Sequence, residues 1–381
     1  MPKPVSETSL GFGEDRMQRM SATSKGAARV TINDLADALG LAKGTVSRAL
    51  NGYPDIAETT RARVTRTAER MGYRPLAQAQ AIRTGRARSL GLVLNTGSRD
   101  AHKPFLLDFL DGISRAASEE SWTLSVAIAE GVDEELSTMA RLIEERKVDG
   151  FILPRAMWED ARADLCRDRG VPFILFGRTR NEAGCAWFDV LGEDAIHAAV
   201  TRLAGFGHRR IGFINGSLRY TYAHLRLAAF HGAMAEAGLE ADPALMAGEV
   251  LSVAEGEAAG RAVLSGDAPP TAIVCATDLA AIGLYRAAEA VGRRIGHDLA
   301  VISYDGLPEA ANMMPPLTTY SVDTRAAGQR LARMLIARVR GTDPQHLREL
   351  TPARLIERAS DRLPEDPSKA APMPPADGRR D

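Results

Sequence analysis

Residues 30–64 read VTINDLADALGLAKGTVSRALNGYPDIAETTRARV, and the spacing within this stretch decides how the head of the chain folds. Thr31 stands where an N-cap belongs, with Asp34 three residues on, where the helix macrodipole favours an acid. Ile32, Leu35, Ala36 and Leu39 recur at helical spacing, and Gly40 supplies the left-handed residue that ends the helix. A second helix, about Lys43 to Asn51, turns Val46, Ala49 and Leu50 inward. Its other face keeps Lys43, Gly44, Thr45, Ser47, Arg48 and Asn51, all small or hydrogen-bonding. A third helix is expected over about Thr59 to Met71. A small polar and basic face beside a glycine turn is what a recognition helix in a major groove requires. An ordinary surface helix hairpin shares the same spacing, so the remainder of the chain must choose between them.

The 381 residues allow two or three domains, and the net charge of −1 alone argues against a nucleic-acid protein. Its distribution argues the other way. Residues 1–88 hold 15 Lys and Arg against 8 Asp and Glu, whereas the rest holds 33 against 41, a basic head on an acidic body. Cys166, Cys185 and Cys275 are widely spaced with no CxxC; they point to a reducing cytoplasm and away from a disulfide framework or a metal site. No apolar stretch reaches the roughly 20 residues a membrane span needs. The first 28 residues have no signal-peptide core and read as a disordered leader, with Met17 and Met20 as alternative starts. The Pro-rich, charged end reads as a disordered tail over 361–381.

From Ser89 onward, apolar β-rich runs alternate with helical stretches: 90–94, 123–129, 150–154, 172–177, 210–215, 272–276 and 299–304. This alternation predicts an α/β unit of parallel sheets with helices on both faces, and ligands beyond the carboxyl ends of the strands. Those ends gather polar and Gly residues: Asn95, Arg155, Gly177-Arg178, Asn215-Gly216, Thr277-Asp278 and Asp305-Gly306. No GxGxxG follows the first strand, and P-loop, HExxH and GxSxG motifs are missing, so no cofactor and no enzyme is expected. Asp189 with His197 or His208 is the nearest thing to a catalytic pair, but Gly207-His208-Arg209-Arg210 reads as a turn into a strand.

The strings VTINDLADALGLAKGTVSRALNG, GYRP at 72–75 and AQAQAIRTG at 77–85 resemble the LacI/GalR family of bacterial transcriptional regulators, and the resemblance runs over about residues 30–358. It implies a helix-turn-helix head over 29–74, a hinge over 75–87 and a two-lobed effector-binding and dimerisation domain, of the periplasmic-binding-protein type, over 88–360. Base reading falls on Lys43, Gly44 and Arg48, with Arg48 suited to fork onto guanine; Lys43 reaches either a base edge or a phosphate, and Gly44 only permits close approach. Thr31, Thr45, Ser47, Asn51 and Thr60 match backbone-contacting positions. Ala42 replaces the usual Ser or Thr cap of the recognition helix. In the hinge, Ala79, Ile82 and Arg83 match the minor-groove segment, with Ile82 as the kinking wedge.

In the effector domain the resemblance assigns ligand contacts to Phe105, Arg178, Tyr222, Arg226, Asp278 and Asp305. Asp305 in a turn and Asp278 as a helix cap remain open alternatives. Lys103 replaces the family's usual Asn in the loop before Phe105. Lobe crossings are expected near 180–190, 295–310 and 315–325. The protein so implied is a cytoplasmic homodimeric repressor, or a higher oligomer, that binds near-palindromic double-stranded operator DNA under allosteric control by a small molecule, most commonly a sugar. A solute-binding receptor and a sugar-metabolising enzyme are the rivals; the helix-turn-helix and the missing phosphate loop oppose them.

Overall fold

The computed structural model describes residues 30–74, 85–96 and 103–362, and the chain divides into two units, Met1–Thr84 and Gly85–Asp381. In the first unit the expected helices form as α1 (Ile32–Leu39), α2 (Lys43–Leu50) and α3 (Glu58–Met71). Leu35, Ala36, Val46, Ala49, Val64 and Ala68 are its buried core, with Ile32, Leu39, Leu50 and Ile56 packed at the margin. A capping box starts α1: Thr31 N–H donates to Asp34 Oδ2 at 2.7 Å, and Asp34 N–H donates to Thr31 Oγ1 at 3.3 Å. Gly40, at φ 63°, ψ 32°, stops it. Only Gly40, Leu41 and Ala42 separate α1 from α2, which enforces the sharp change of direction.

The second unit holds two six-stranded sheets. The first lobe is built from β1 (Ser89–Asn95), β2 (Thr123–Ala129), β3 (Gly150–Leu153), β4 (Phe173–Phe176), β5 (Ala186–Leu191) and β11 (Arg348–Pro352), with α4 (Lys103–Glu119), α5 (Val132–Glu144), α6 (Ala161–Asp168) and α11 (Thr324–Val339). The second holds β6 (Ile211–Ile214), β7 (Met246–Ala247), β8 (Ala272–Cys275), β9 (Ala300–Asp305), β10 (Thr318–Ser321) and β12 (Arg354–Ile356), with α7 (Gly192–Gly205), α8 (Thr221–Glu236), α9 (Val253–Leu264) and α10 (Asp278–Ala290). Strand orders are β11-β5-β4-β3-β1-β2 and β12-β10-β9-β8-β6-β7. The pairings are parallel except β10 with β12.

Period-two alternation splits each sheet's apolar residues between two cores. In the first lobe Leu90, Leu92, Ile152 and Ile174 face the side covered by α4 and α11, while Val93, Phe151, Leu153, Phe173 and Leu175 face α5 and α6. In the second, Phe213, Val274 and Ile302 face α7 and α8, and Ile214, Ile273 and Val301 face α9 and α10. Two glycines let α4 and α11 approach. A Cβ on Gly112 would stand 2.1 Å from Arg325 O, and one on Gly328 would stand 2.5 Å from Phe109 O.

The lobe crossings need one correction. The chain passes to the second lobe where β5 ends and α7 begins, and returns between β10 and α11. No crossing occurs at 295–310, because β9 lies between β8 and β10 within one sheet. The third crossing is instead the short step from β11 to β12, across Ala353. The folded unit also runs further than expected. Asp361, assigned to the tail, is fully buried and accepts from Arg202 Nε at 2.6 Å and Thr318 Oγ1 at 2.8 Å.

Candidate functional site

On the head, α2 offers its outer face as the sequence requires. Lys43, Gly44 and Arg48 are exposed, and Thr45, Ser47 and Asn51 are half-buried beside them. Ala42 makes no side-chain cap to α2. Two of the presumptive backbone contacts already have internal work. The Thr31 hydroxyl donates to Asp34 Oδ2 at 2.8 Å, and Asn51 Nδ2 donates to Ser47 O at 2.6 Å. Thr60 is half-buried on α3. Arg48 is held rather than loose: its Nη2 donates to Asp55 Oδ2, and its guanidinium lies 5.6 Å from the centre of the Tyr53 ring. Ala79, Ile82 and Arg83 lie outside the described residues.

In the second unit a cleft of about 550 Å³ lies where strand ends of the two sheets face each other. Its floor in the first lobe is apolar, from Leu94, Leu106, Phe109 and Phe176, and its other walls set charged and hydroxyl-bearing side chains among apolar ones such as Met157, Leu225 and Val322. Arg178, Tyr222, Arg226 and Asp305 all line it. Arg226 is buried, with its guanidinium 3.8 Å from the Tyr304 ring centre and 4.7 Å from that of Tyr222. One Nη donates to Ala276 O, while Nε has no hydrogen-bond partner. Beside it, Asp305 ends β9 at φ 132°. Burial pushes its carboxyl up to about 7, against the pull of the nearby Arg226 cation.

Arg178 is clasped by Asp189 at 2.7 Å and Glu193 at 2.6 Å. Burial works against its charge, yet the two carboxylates hold it above the usual guanidinium value. Beneath the cleft, Arg162 donates to Asp160 Oδ2 at 2.8 Å and to Glu135 Oε1 at 3.1 Å, and Glu135 accepts from Asn95 Nδ2 at 3.1 Å. Arg155, at φ 55°, closes another side with its guanidinium 4.3 Å from the Tyr220 ring centre. Two non-glycine residues in strained backbone, Arg155 and Asp305, thus flank one cavity, a placement typical of functional sites.

One assignment is overturned. Asp278 does not reach the cleft: it is fully buried, and its carboxylate accepts from Ser303 Oγ, Thr319 Oγ1 at 2.7 Å and Leu307 N–H at 2.6 Å. Those bonds tie β9 and β10 together and leave the cleft wall to Thr277, whose hydroxyl caps α10. Phe105 stands in the first turn of α4, and its side chain lies outside the described residues. The imagined catalytic pairs do not form. Asp189 serves Arg178, His197 meets Glu236 at 2.8 Å, and His208 meets Thr271 at 2.9 Å. Asn95, Arg155 and Thr277 were visible as strand ends. Glu135, Arg162, Glu193 and Tyr304 carried no local signal, since their roles depend on which elements the fold brings together.

A helix-turn-helix head on the same chain as a two-lobed unit, with a cleft that sets charged side chains in a largely apolar lining, defines a DNA-binding transcriptional regulator with a small-molecule sensor. Residues 31–75 match the family model for bacterial regulatory proteins of the lacI family, and residues 200–360 match that for the periplasmic binding protein-like domain. The transcriptional regulator AglR of Rhizobium meliloti is 35% identical over 87% of this chain and 94% of its own length. RafR of Escherichia coli is 30% identical over 84% of this chain and 94% of its own. Among solved structures, the CelR–cellobiose complex superimposes with a TM-score of 0.68 at 28% identity, covering 87% of this chain and 100% of that one. The chain belongs to the lacI family of bacterial regulatory proteins.

Proposed function

We propose that this regulator is a cytoplasmic, non-enzymatic repressor that grips its operator as a homodimer and whose grip is set by a sugar in the cleft. The observation that carries the reading is Arg226: a buried guanidinium held between Tyr222 and Tyr304, with an unpartnered Nε, beside the carboxyl of Asp305. Aromatic faces, an acceptor and a fork of donors suit a polyhydroxylated ligand. CelR, similar along most of the chain, is known in complex with cellobiose, which supports the same ligand class here. On the head, Lys43 and Arg48 would read base edges across the gap Gly44 leaves. Thr31, Thr45, Ser47, Asn51 and Thr60 would set register on the phosphates, and Ala79, Ile82 and Arg83 would occupy the minor groove.

Ligand bound to one arrangement of the lobes in preference to another shifts the population able to hold DNA; such couplings are typically about 1–3 kcal/mol and reciprocal. The test is a thermal-shift screen against mono- and disaccharides, cellobiose included, with the wild type and Arg226→Ala. At least one sugar should raise the wild-type melting temperature and leave the variant unmoved. A panel that moves neither protein removes the sugar from this reading, and one that moves both equally removes Arg226 as its anchor.

A further inference from the structure

Arg48 does not stand alone on α2. Its Nη2 donates to the Asp55 carboxylate, and its cationic plane lies against Tyr53, so a flexible side chain is gripped along one edge and over one face. The loop that supplies both partners is itself pinned. Arg61, one turn into α3, donates from Nη2 to Tyr53 O at 3.0 Å and to Ile56 O at 3.3 Å; Tyr53 N–H donates back to Arg48 O at 3.1 Å. Ile56 anchors the same loop against the three-helix core. The Arg48 and Asp55 side chains are 52% and 45% exposed, and an ion pair that exposed does little for stability. A carboxylate on a face meant for phosphates is, moreover, electrostatically unfavourable for binding DNA. Its presence calls for another role.

We infer that Asp55 is a positioning residue that presets Arg48 for reading guanine, with Tyr53 as the platform beneath it. Guanidinium carries five N–H donors in a rigid fork, so one edge can be held by a carboxylate while another takes guanine O6 and N7. Holding the side chain before DNA arrives removes rotamer freedom that would otherwise be lost on binding. Asp55 also penalises a wrong base: an arginine already bound to a carboxylate has little to gain from a phosphate or an ill-placed acceptor.

The inference rests on Arg48 as a base reader, and the experiment separates the two claims. The full chain, wild type and as Arg48→Ala, Asp55→Asn and Asp55→Glu, is used to select duplexes from a random pool. The winning duplex and its single-base-pair variants are then titrated by fluorescence anisotropy at several salt concentrations. The wild type should prefer guanine at one position of each half-site, and Arg48→Ala should lose that preference. Asp55→Asn should weaken it by about two- to fivefold, the range an exposed pair supplies, at that base pair alone; Asp55→Glu should recover part of it. If Asp55→Asn tightens binding to every duplex equally and steepens the salt dependence, the residue is only a repulsive charge and the inference fails. If Arg48→Ala keeps the guanine preference, the reading of Arg48 fails as well.

Discussion

Asp305 shows how a single residue's environment becomes measurable. In the folded protein its carboxyl titrates near 7 because it is shielded from water, whereas the ordinary value is 3.8. The native state therefore binds this proton more tightly than the unfolded chain. Its contribution favours folding at pH below 3.8 and is lost as pH rises through about 7. Urea unfolding of the ligand-free protein across that window should show stability falling with pH, and Asp305→Asn should flatten the slope; equal slopes would mean that Asp305 does not hold its proton. The same residue shows what sequence can supply at this scale. That Arg226 and Asp305 line one cleft was legible because a resemblance carried both, residue by residue, onto a helix and a strand end. Asp278 was misassigned because it adjoins the strand end without facing the same way: Thr277 takes the cleft, and Asp278 satisfies two buried hydroxyls and an N–H instead.

Strands were legible where they are apolar. The seven apolar runs all became strands; six are buried and read as continuous hydrophobic runs, while β2 lies at the sheet edge with Val126 and Ile128 exposed. The five strands that escaped notice lack that signal. β11 alternates exposed and half-buried residues, β12 and β7 span three and two residues, and β5 begins in a segment read as a crossing. β10 (Thr-Thr-Tyr-Ser) is buried yet polar, because Asp278 and Asp361 accept from its threonine hydroxyls. In α1 the helix signals were local and complete: cap, stripe and terminating glycine all lie within a few residues. At the start of α2 a missing local signal can be restored. Ala42 has an extended cap backbone, φ −62°, ψ 141°, but no oxygen to offer the α2 amides. Ala42→Ser should stabilise the head by about 1 kcal/mol, read as a raised denaturation midpoint of the head followed by NMR or circular dichroism; no gain would mean that the helix start is already satisfied.

At the scale of the whole molecule, charge and connectivity divide the work. The basic head carries α2 with its exposed Lys43 and Arg48, and the acidic body carries the cleft. Three chain segments join the lobes, at β5–α7, β10–α11 and β11–β12, so the lobes can change their relation only by small adjustments in all three at once. The first two crossings fall close to the expected 180–190 and within 315–325, the second at Val322-Asp323 just past the end of β10. The third was not legible, because it depends on a strand too polar to be recognised. If DNA binding by the head answers to a sugar held at Arg226, footprinting of the chain's own promoter region will show it. The wild type should protect a near-palindromic site, at least one sugar should change that protection, and Arg226→Ala should protect the same site with no response to the sugar. Absence of sequence-specific protection, or a sugar response that survives Arg226→Ala, would contradict it.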